Sequence, residues 1–213
     1  GDHDKKVVSP VSLIVTAFAT VDDVRTTLTP QLNRVEADTS LVLIDLGRGR
    51  NRMGGSILLQ THNQSGQEVP DLDDPHDLIN LFKAVNALRQ QQLILSYHDR
   101  SDGGLLAAVC EMAFAGQVGV ALNIDMLLVP TPDQIDQAGI APMDVGDSKN
   151  WAQQISGLRH HASLAALFNE ELGVVLQVKT ADRSVVMQVL REHGLATCSH
   201  VIGKTRPRTS AID

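Results

Sequence analysis

The chain has 213 residues, 43 % of them apolar and 20 % charged, enough to bury a core in one domain of ordinary globular composition. A formal net charge of −7 without a long basic cluster argues against a nucleic-acid surface, and 3 % aromatic residues leave too few rings for a single-strand stacking platform. No apolar run approaches the roughly 20 residues that span a bilayer, and Gly1-Asp2-His3-Asp4-Lys5-Lys6 is unlike a secretory leader, so the sequence reads as cytoplasmic, with neither membrane nor nucleic acid as partner.

The chain starts without Met, and residues 1–11 read as a linker severed from a preceding domain; residues 12–203 read as a single domain and 204–213 as a tail. Ser12 to Phe18 is apolar on both sides and predicts a first strand in the middle of a covered sheet. After Asp22 and Asp23 a short helical or irregular piece ends by Thr29-Pro30. Leu41 to Leu46 predicts the second strand. The Gly-rich loop 47–56 follows, and its three arginines, Arg48, Arg50 and Arg52, suit either a phosphate cradle or a solvated turn. It matches neither phosphate-binding glycine template. Asp74 as N-cap, Pro75 at the first helical position and Asp77 in the first turn open a helix with the apolar stripe Leu78, Leu81, Phe82, Val85 and Leu88.

Leu93 to Leu95 predicts the central strand, and Leu105, Leu106, Val109, Met112 and Ala113 the helix after it. Between them lies Ser96-Tyr97-His98-Asp99-Arg100-Ser101-Asp102-Gly103-Gly104. Such a turn sets the free amides and positive end of a helix beside carboxylates and a hydroxyl, the chemistry a phosphate and its metal ion require. Asp99 suits a hard cation, Ser101 a phosphate or cation-bound water, and Gly103 and Gly104 admit a ligand close to the backbone. The same residues also read plainly, with Ser101 or Asp102 capping the helix and Asp99 balancing Arg100.

Downstream, Val118 to Ile124 predicts a strand, and the proline-punctuated residues 126–150 an irregular excursion with a short helix near Asp133 to Ala138. His160 and His161 are adjacent and point apart on a helix, which favours an exposed role over a metal site. Leu164, Leu167, Phe168 and Leu172 predict a helix stopped by Gly173; its end carries Glu170 and Glu171, ill-placed beside a negative helix pole and therefore candidate functional residues. Val174 to Val178, a helix capped by Asp182 and Ala196 to Ile202 complete a β-α-β unit with its two strands side by side. Cys110 and Cys198 suggest reduced thiols, with a disulfide left open.

The blocks Pro10-Val11-Ser12-Leu13-Ile14-Val15, Arg52-Met53-Gly54-Gly55-Ser56, His98-Asp99-Arg100-Ser101-Asp102-Gly103-Gly104, Glu111-Met112-Ala113-Phe114-Ala115-Gly116 and Phe168-Asn169-Glu170-Glu171-Leu172-Gly173, in this order, resemble the large single-chain phosphoribosylformylglycinamidine synthases, the FGAR amidotransferases. The resemblance implies an α+β domain, a mixed sheet covered by helices, like the C-terminal domain of aminoimidazole ribonucleotide synthetase. It implies one domain of a glutamine-using, ATP-dependent carbon–nitrogen ligase of purine biosynthesis, partnered by the remaining synthetase and glutaminase domains of the same polypeptide. Carried over by motif position, Asp99 is a magnesium ligand and Ser101, with Gly103 and Gly104, contacts ATP or ADP; no catalytic residue maps to this chain. Position 100 is Arg, where small-chain members tend to carry an apolar residue. The chain alone is expected to fold without synthetase activity, and the alternative is an architectural domain holding a structural nucleotide.

Overall fold

Leu41 and Leu43 on one side and Val42 and Ile44 on the other make β1 (Thr39–Asp45) apolar on both faces, and all seven of its residues are buried. In the computed structural model, which describes residues 14–21, 23–128 and 159–206, this strand is the middle of a five-stranded sheet. The other strands are β2 (Ser96–Asp99), β3 (Gly119–Leu122), β4 (Gly173–Lys179) and β5 (Ser199–Arg206), in the order β2-β4-β1-β5-β3. The class is α+β, as expected, but every neighbouring pair is antiparallel, where a mixed sheet was expected. The helices are α1 (Ile57–Thr61), α2 (Pro75–Gln90), α3 (Gly104–Gly116), α4 (described over 159–168) and α5 (Arg183–Glu192).

Period-two alternation in the strands divides the core in two. On one face Val42, Ile44, Val174, Leu176 and Val178 meet Leu81, Ala84 and Leu88 of α2 and Val186, Val189 and Leu190 of α5. On the other, Leu41, Leu43, Val175 and Ile202 meet Leu105, Val109 and Met112 of α3, with Leu32 inserted beside them. Fully burying each such aliphatic side chain contributes about 1.5–3 kcal/mol. One polar group is set into the second face. Gln177 is buried, accepts from the Asn33 amide (2.7 Å) and donates to the Asn33 carbonyl (2.9 Å) and Thr39 Oγ1 (3.0 Å), which pins the segment before β1 to the sheet.

Several expectations change. Residues 14–18 form no strand, and Phe18 is 93 % exposed; apolarity does not suffice without a ladder partner, and both sides of β1 are taken by β4 and β5. The central strand starts at Ser96, after Leu93 to Leu95, because the Leu93 amide is still tied to the end of α2 through Leu88 O (3.0 Å). Phe82 lies outside its stripe, 64 % exposed, and Ala84 takes the buried place. Helix α4 stops at residue 168, where the Asn169 side chain caps it by donating to Ala165 O (2.7 Å), so that Gly173 is free to open β4. Asp182 stands at the N-cap of α5 without a side-chain cap bond. Residues 196–198 form a single tight turn, and β5 runs from Ser199 through Lys204 to Arg206. Strands β4 and β5 run parallel to each other but are separated by β1.

Cys110 and Cys198 are both free thiols, and burial pushes Cys198 up to about 11. His160 and His161 are exposed, their rings 6.3 Å apart, and no group of three metal-ligating side chains occurs among the described residues. The described residues contain no helix long and apolar enough to cross a membrane. Residues 1–11 and the helix expected near Asp133 to Ala138 lie outside the described residues.

Candidate functional site

Strand β2 ends at Asp99, and the next residue turns the chain inward. The Arg100 side chain is 1 % exposed; its amide donates to Gly173 O (2.8 Å), its Nε to Glu171 O (2.6 Å) and its Nη2 to Leu172 O (3.1 Å) and Asp45. The Asp45 carboxylate also accepts from the amides of Gly47 (3.1 Å) and Gly49 (2.7 Å). A buried ion pair persists when its remaining lone pairs and protons are satisfied in this way. Arg100 therefore pairs with Asp45 across the sheet and does not balance Asp99.

Alternation along β2 sends His98 and Asp99 to opposite faces. His98 faces α3, its Nε2 2.8 Å from Glu111 Oε2 and its Nδ1 2.6 Å from the Asp99 carbonyl oxygen. Asp99 is exposed and shares a side with Tyr97, whose phenol donates to Asp99 Oδ1 at 2.6 Å. Burial first, and the adjoining carboxylate second, hold the phenolic proton on well above its ordinary range. Oδ2 of Asp99 accepts no hydrogen bond from the described residues.

Ser101 and Asp102 are exposed at the turn, and neither caps the helix. The N-cap of α3 is Gly103 in the left-handed conformation (φ 82°), followed by Gly104 (φ 71°), and no side chain of the turn itself caps the helix. Glycine is required twice over at Gly104, since a Cβ there would lie 2.6 Å from Asn169 O. The positive end of a 13-residue helix thus opens at the surface beside a serine hydroxyl and an exposed carboxylate. Asp99, Ser101 and Gly103 share one surface turn, and Gly104 lies buried just inside it against the end of α4.

The two glutamates before β4 turn away from their own helix end. Glu170 Oε1 accepts from the amides of Ile57 (2.8 Å) and Gly103 (2.9 Å), clamping the start of α1 to the start of α3. Glu171 is fully buried and holds Arg52, with Oε1 accepting from the Arg52 amide (3.0 Å) and Nε (2.7 Å) and Oε2 from Nη2 (2.8 Å). The guanidinium of Arg52 is raised above its usual range by that carboxylate. Arg48 bonds Asp77 (2.7 and 2.9 Å), and Arg50 meets Asp73 at 3.0 Å. All three arginines of the loop thus have carboxylate partners, which supports a framework role for the loop. The Asp45–Arg100 pair is not visible in the sequence because its members lie 55 positions apart, whereas the spacing of two between Tyr97 and Asp99 is a local signal that could have found that contact.

Residues 37–212 match the family described as AIR synthase related protein, C-terminal domain. The chain belongs to this family. Among solved structures, the AIR synthase-related domain is similar to Thermotoga maritima PurL complexed with FGAR (16 % identity, TM-score 0.55, 85 % of this chain and 26 % of that one). It is similar also to PurLQS from Thermotoga maritima (15 %, 0.53, 87 % and 24 %) and to Escherichia coli HypE, a hydrogenase maturation protein (18 %, 0.51, 85 % and 47 %). The chain spans about a quarter of the PurL chains it matches, and at these identities the likeness establishes the fold.

Proposed function

We propose that this domain belongs to a phosphoribosylformylglycinamidine synthase, the ligase that converts formylglycinamide ribonucleotide to formylglycinamidine ribonucleotide with ATP and glutamine-derived ammonia. The observation that carries the reading is the turn itself: an exposed carboxylate and hydroxyl at the glycine-opened start of α3. Similarity to PurL structures solved with ATP, with ADP and with FGAR supports it.

Asp99 would contribute one oxygen to a magnesium ion. The donor set fits a partial site, since magnesium takes one or two carboxylates and completes its shell with waters and nucleotide phosphates. The ion, when bound, offsets phosphate charge. Tyr97 holds one oxygen of Asp99 and leaves Oδ2 for the cation. Ser101 would donate to a phosphate oxygen, and Gly103 and Gly104 allow that phosphate to approach the first turn of α3. No general acid, base or nucleophile is assigned here, so synthesis needs the other synthetase domains and a glutaminase, and the domain alone is expected to be inactive.

In the full-length protein, Asp99→Asn and Ser101→Ala should each lower co-purified adenine nucleotide and ammonia-dependent ATP consumption at least tenfold with unchanged thermal stability. Full nucleotide content and full turnover in both variants would refute the assignment. The architectural alternative draws on apolar side chains left open at Ile14, Val15, Phe82 and Phe114, and that same result would favour it.

A further inference from the structure

A polar cavity of about 260 Å³ lies among the ends of β1 and β5, loop 47–51 and α4. Its polar wall is Asp45, Arg48, Asn51, Arg100, Thr197 and His200, above apolar Leu43 and Ala166. Leu43 belongs to the core face that meets α3, whereas Tyr97, and with it Asp99, belongs to the other, so this cavity lies on the sheet face opposite the Asp99 carboxylate and on the same face as α3.

The hydrogen-bonding capacity left over in the wall is almost all donor. Asp45 already accepts from Arg100, Gly47 and Gly49. Arg100, although its side chain is 1 % exposed, makes its bonds through the backbone amide, Nε and Nη2; Nη1 has no partner among the described residues. Since no fully buried side-chain nitrogen or oxygen among the described residues lacks a partner, that Nη1 keeps a small exposure, and Arg100 is among the residues that line the cavity. Asn51 accepts from Asn169 through Oδ1 (3.0 Å) and keeps its amide hydrogens, while Thr197 accepts from Arg48 Nη1 (3.1 Å) and keeps its hydroxyl hydrogen. His200 makes no hydrogen bond through its ring among the described residues, and burial lowers its pKa, so it is a neutral imidazole with one N–H. Asn51 and Arg48 both sit at positive φ (52° and 51°), a backbone cost that aims the loop at this space.

We propose that this cavity binds a small oxyanion, a phosphoryl or carboxylate group, held by Arg100 Nη1, Asn51 Nδ2, Thr197 Oγ1 and the His200 ring. A water takes about 30 Å³, so the space admits a phosphoryl group with a few attached atoms. Asp45 and Asp77 cancel the two guanidinium charges, so binding rests on directed hydrogen bonds and depends only weakly on salt.

The test titrates the full chain, followed by heteronuclear NMR, with inorganic phosphate in one arm and acetate in the other, each at low and high sodium chloride. Saturable shifts at the Asn51 side-chain amide and the His200 ring in either arm support the proposal, and the tighter arm names the head group. Asn51→Gly, which keeps the positive φ, and His200→Gln should each weaken binding at least tenfold, with folding checked by circular dichroism. No saturation at these groups in either arm overturns the proposal. Shifts confined to the first turn of α3 and abolished by Ser101→Ala overturn it too, and that outcome would leave the nucleotide reading intact.

Discussion

Gly104 and Gly55 offer a matched pair of substitutions. Both are left-handed (φ 71° and 76°), so alanine at either position meets the same backbone penalty of about 1–2 kcal/mol. Their surroundings differ. A Cβ at Gly55 has nothing within 4 Å, whereas one at Gly104 would lie 2.6 Å from Asn169 O, 2.7 Å from Phe168 C and 2.8 Å from Leu167 O, all backbone atoms that cannot rotate away. Forcing such contacts in a packed region costs about 1–3 kcal/mol more. Gly55→Ala should therefore lose about 1–2 kcal/mol, and Gly104→Ala about 2–5 kcal/mol, in equilibrium urea unfolding with unchanged slope. If Gly104→Ala proves no more costly than Gly55→Ala, the close approach of α3 to the end of α4 is wrong, and with it the account of why the helix mouth is open.

Three further outcomes follow from the same geometry. Glu171→Gln should lose about 3 kcal/mol in chemical denaturation, at the lower end for a broken buried pair because Asp73 still contacts Arg52; a loss under 1 kcal/mol would contradict the pairing. Glu170→Ala should lose about 2 kcal/mol by removing the acceptor of two backbone amides, while Glu170→Gln, which keeps an oxygen there, should retain most of the stability, and equal losses would show that the clamp is not formed. Tyr97 is the single tyrosine, so ultraviolet titration reads its phenol directly. Its raised folded pKa means that stability is full below the ordinary tyrosine value of about 10 and falls as pH rises above it, since the unfolded chain ionises first. Asp99→Asn should lower the midpoint, and an ordinary midpoint in the native protein would contradict the burial of the phenol and its bond to Asp99.

Local signals carried the helices. Asp74, Pro75 and Asp77 fixed the start of α2, with Asp74 accepting from the His76 amide at 2.9 Å, and the 3.6-residue spacing of Leu105, Val109 and Met112 fixed α3. Strand limits were harder to read, because a ladder is made by its partners: Ser96–Asp99 is a strand by virtue of β4, and the apolar residues 14–18 have no strand to meet. The exposed carboxylate and hydroxyl of the turn were legible because the motif is contiguous. The buried charges were not. Glu171 is no different in sequence from the half-buried Glu170 beside it, and only the fold brings Arg52 to it from 119 positions away.

Arg100 lies between two surface residues, yet its guanidinium belongs to the interior, and this ties two distant positions into one heritable unit. An apolar residue at 100 would strand the Asp45 carboxylate with only its two amide donors. Position 45 must then lose its charge in the same step. Arg100→Leu alone should lower soluble expression sharply, whereas Arg100→Leu with Asp45→Asn restores much of it, a reciprocal epistasis set by the scaffold that an activity screen of this turn would mistake for chemistry.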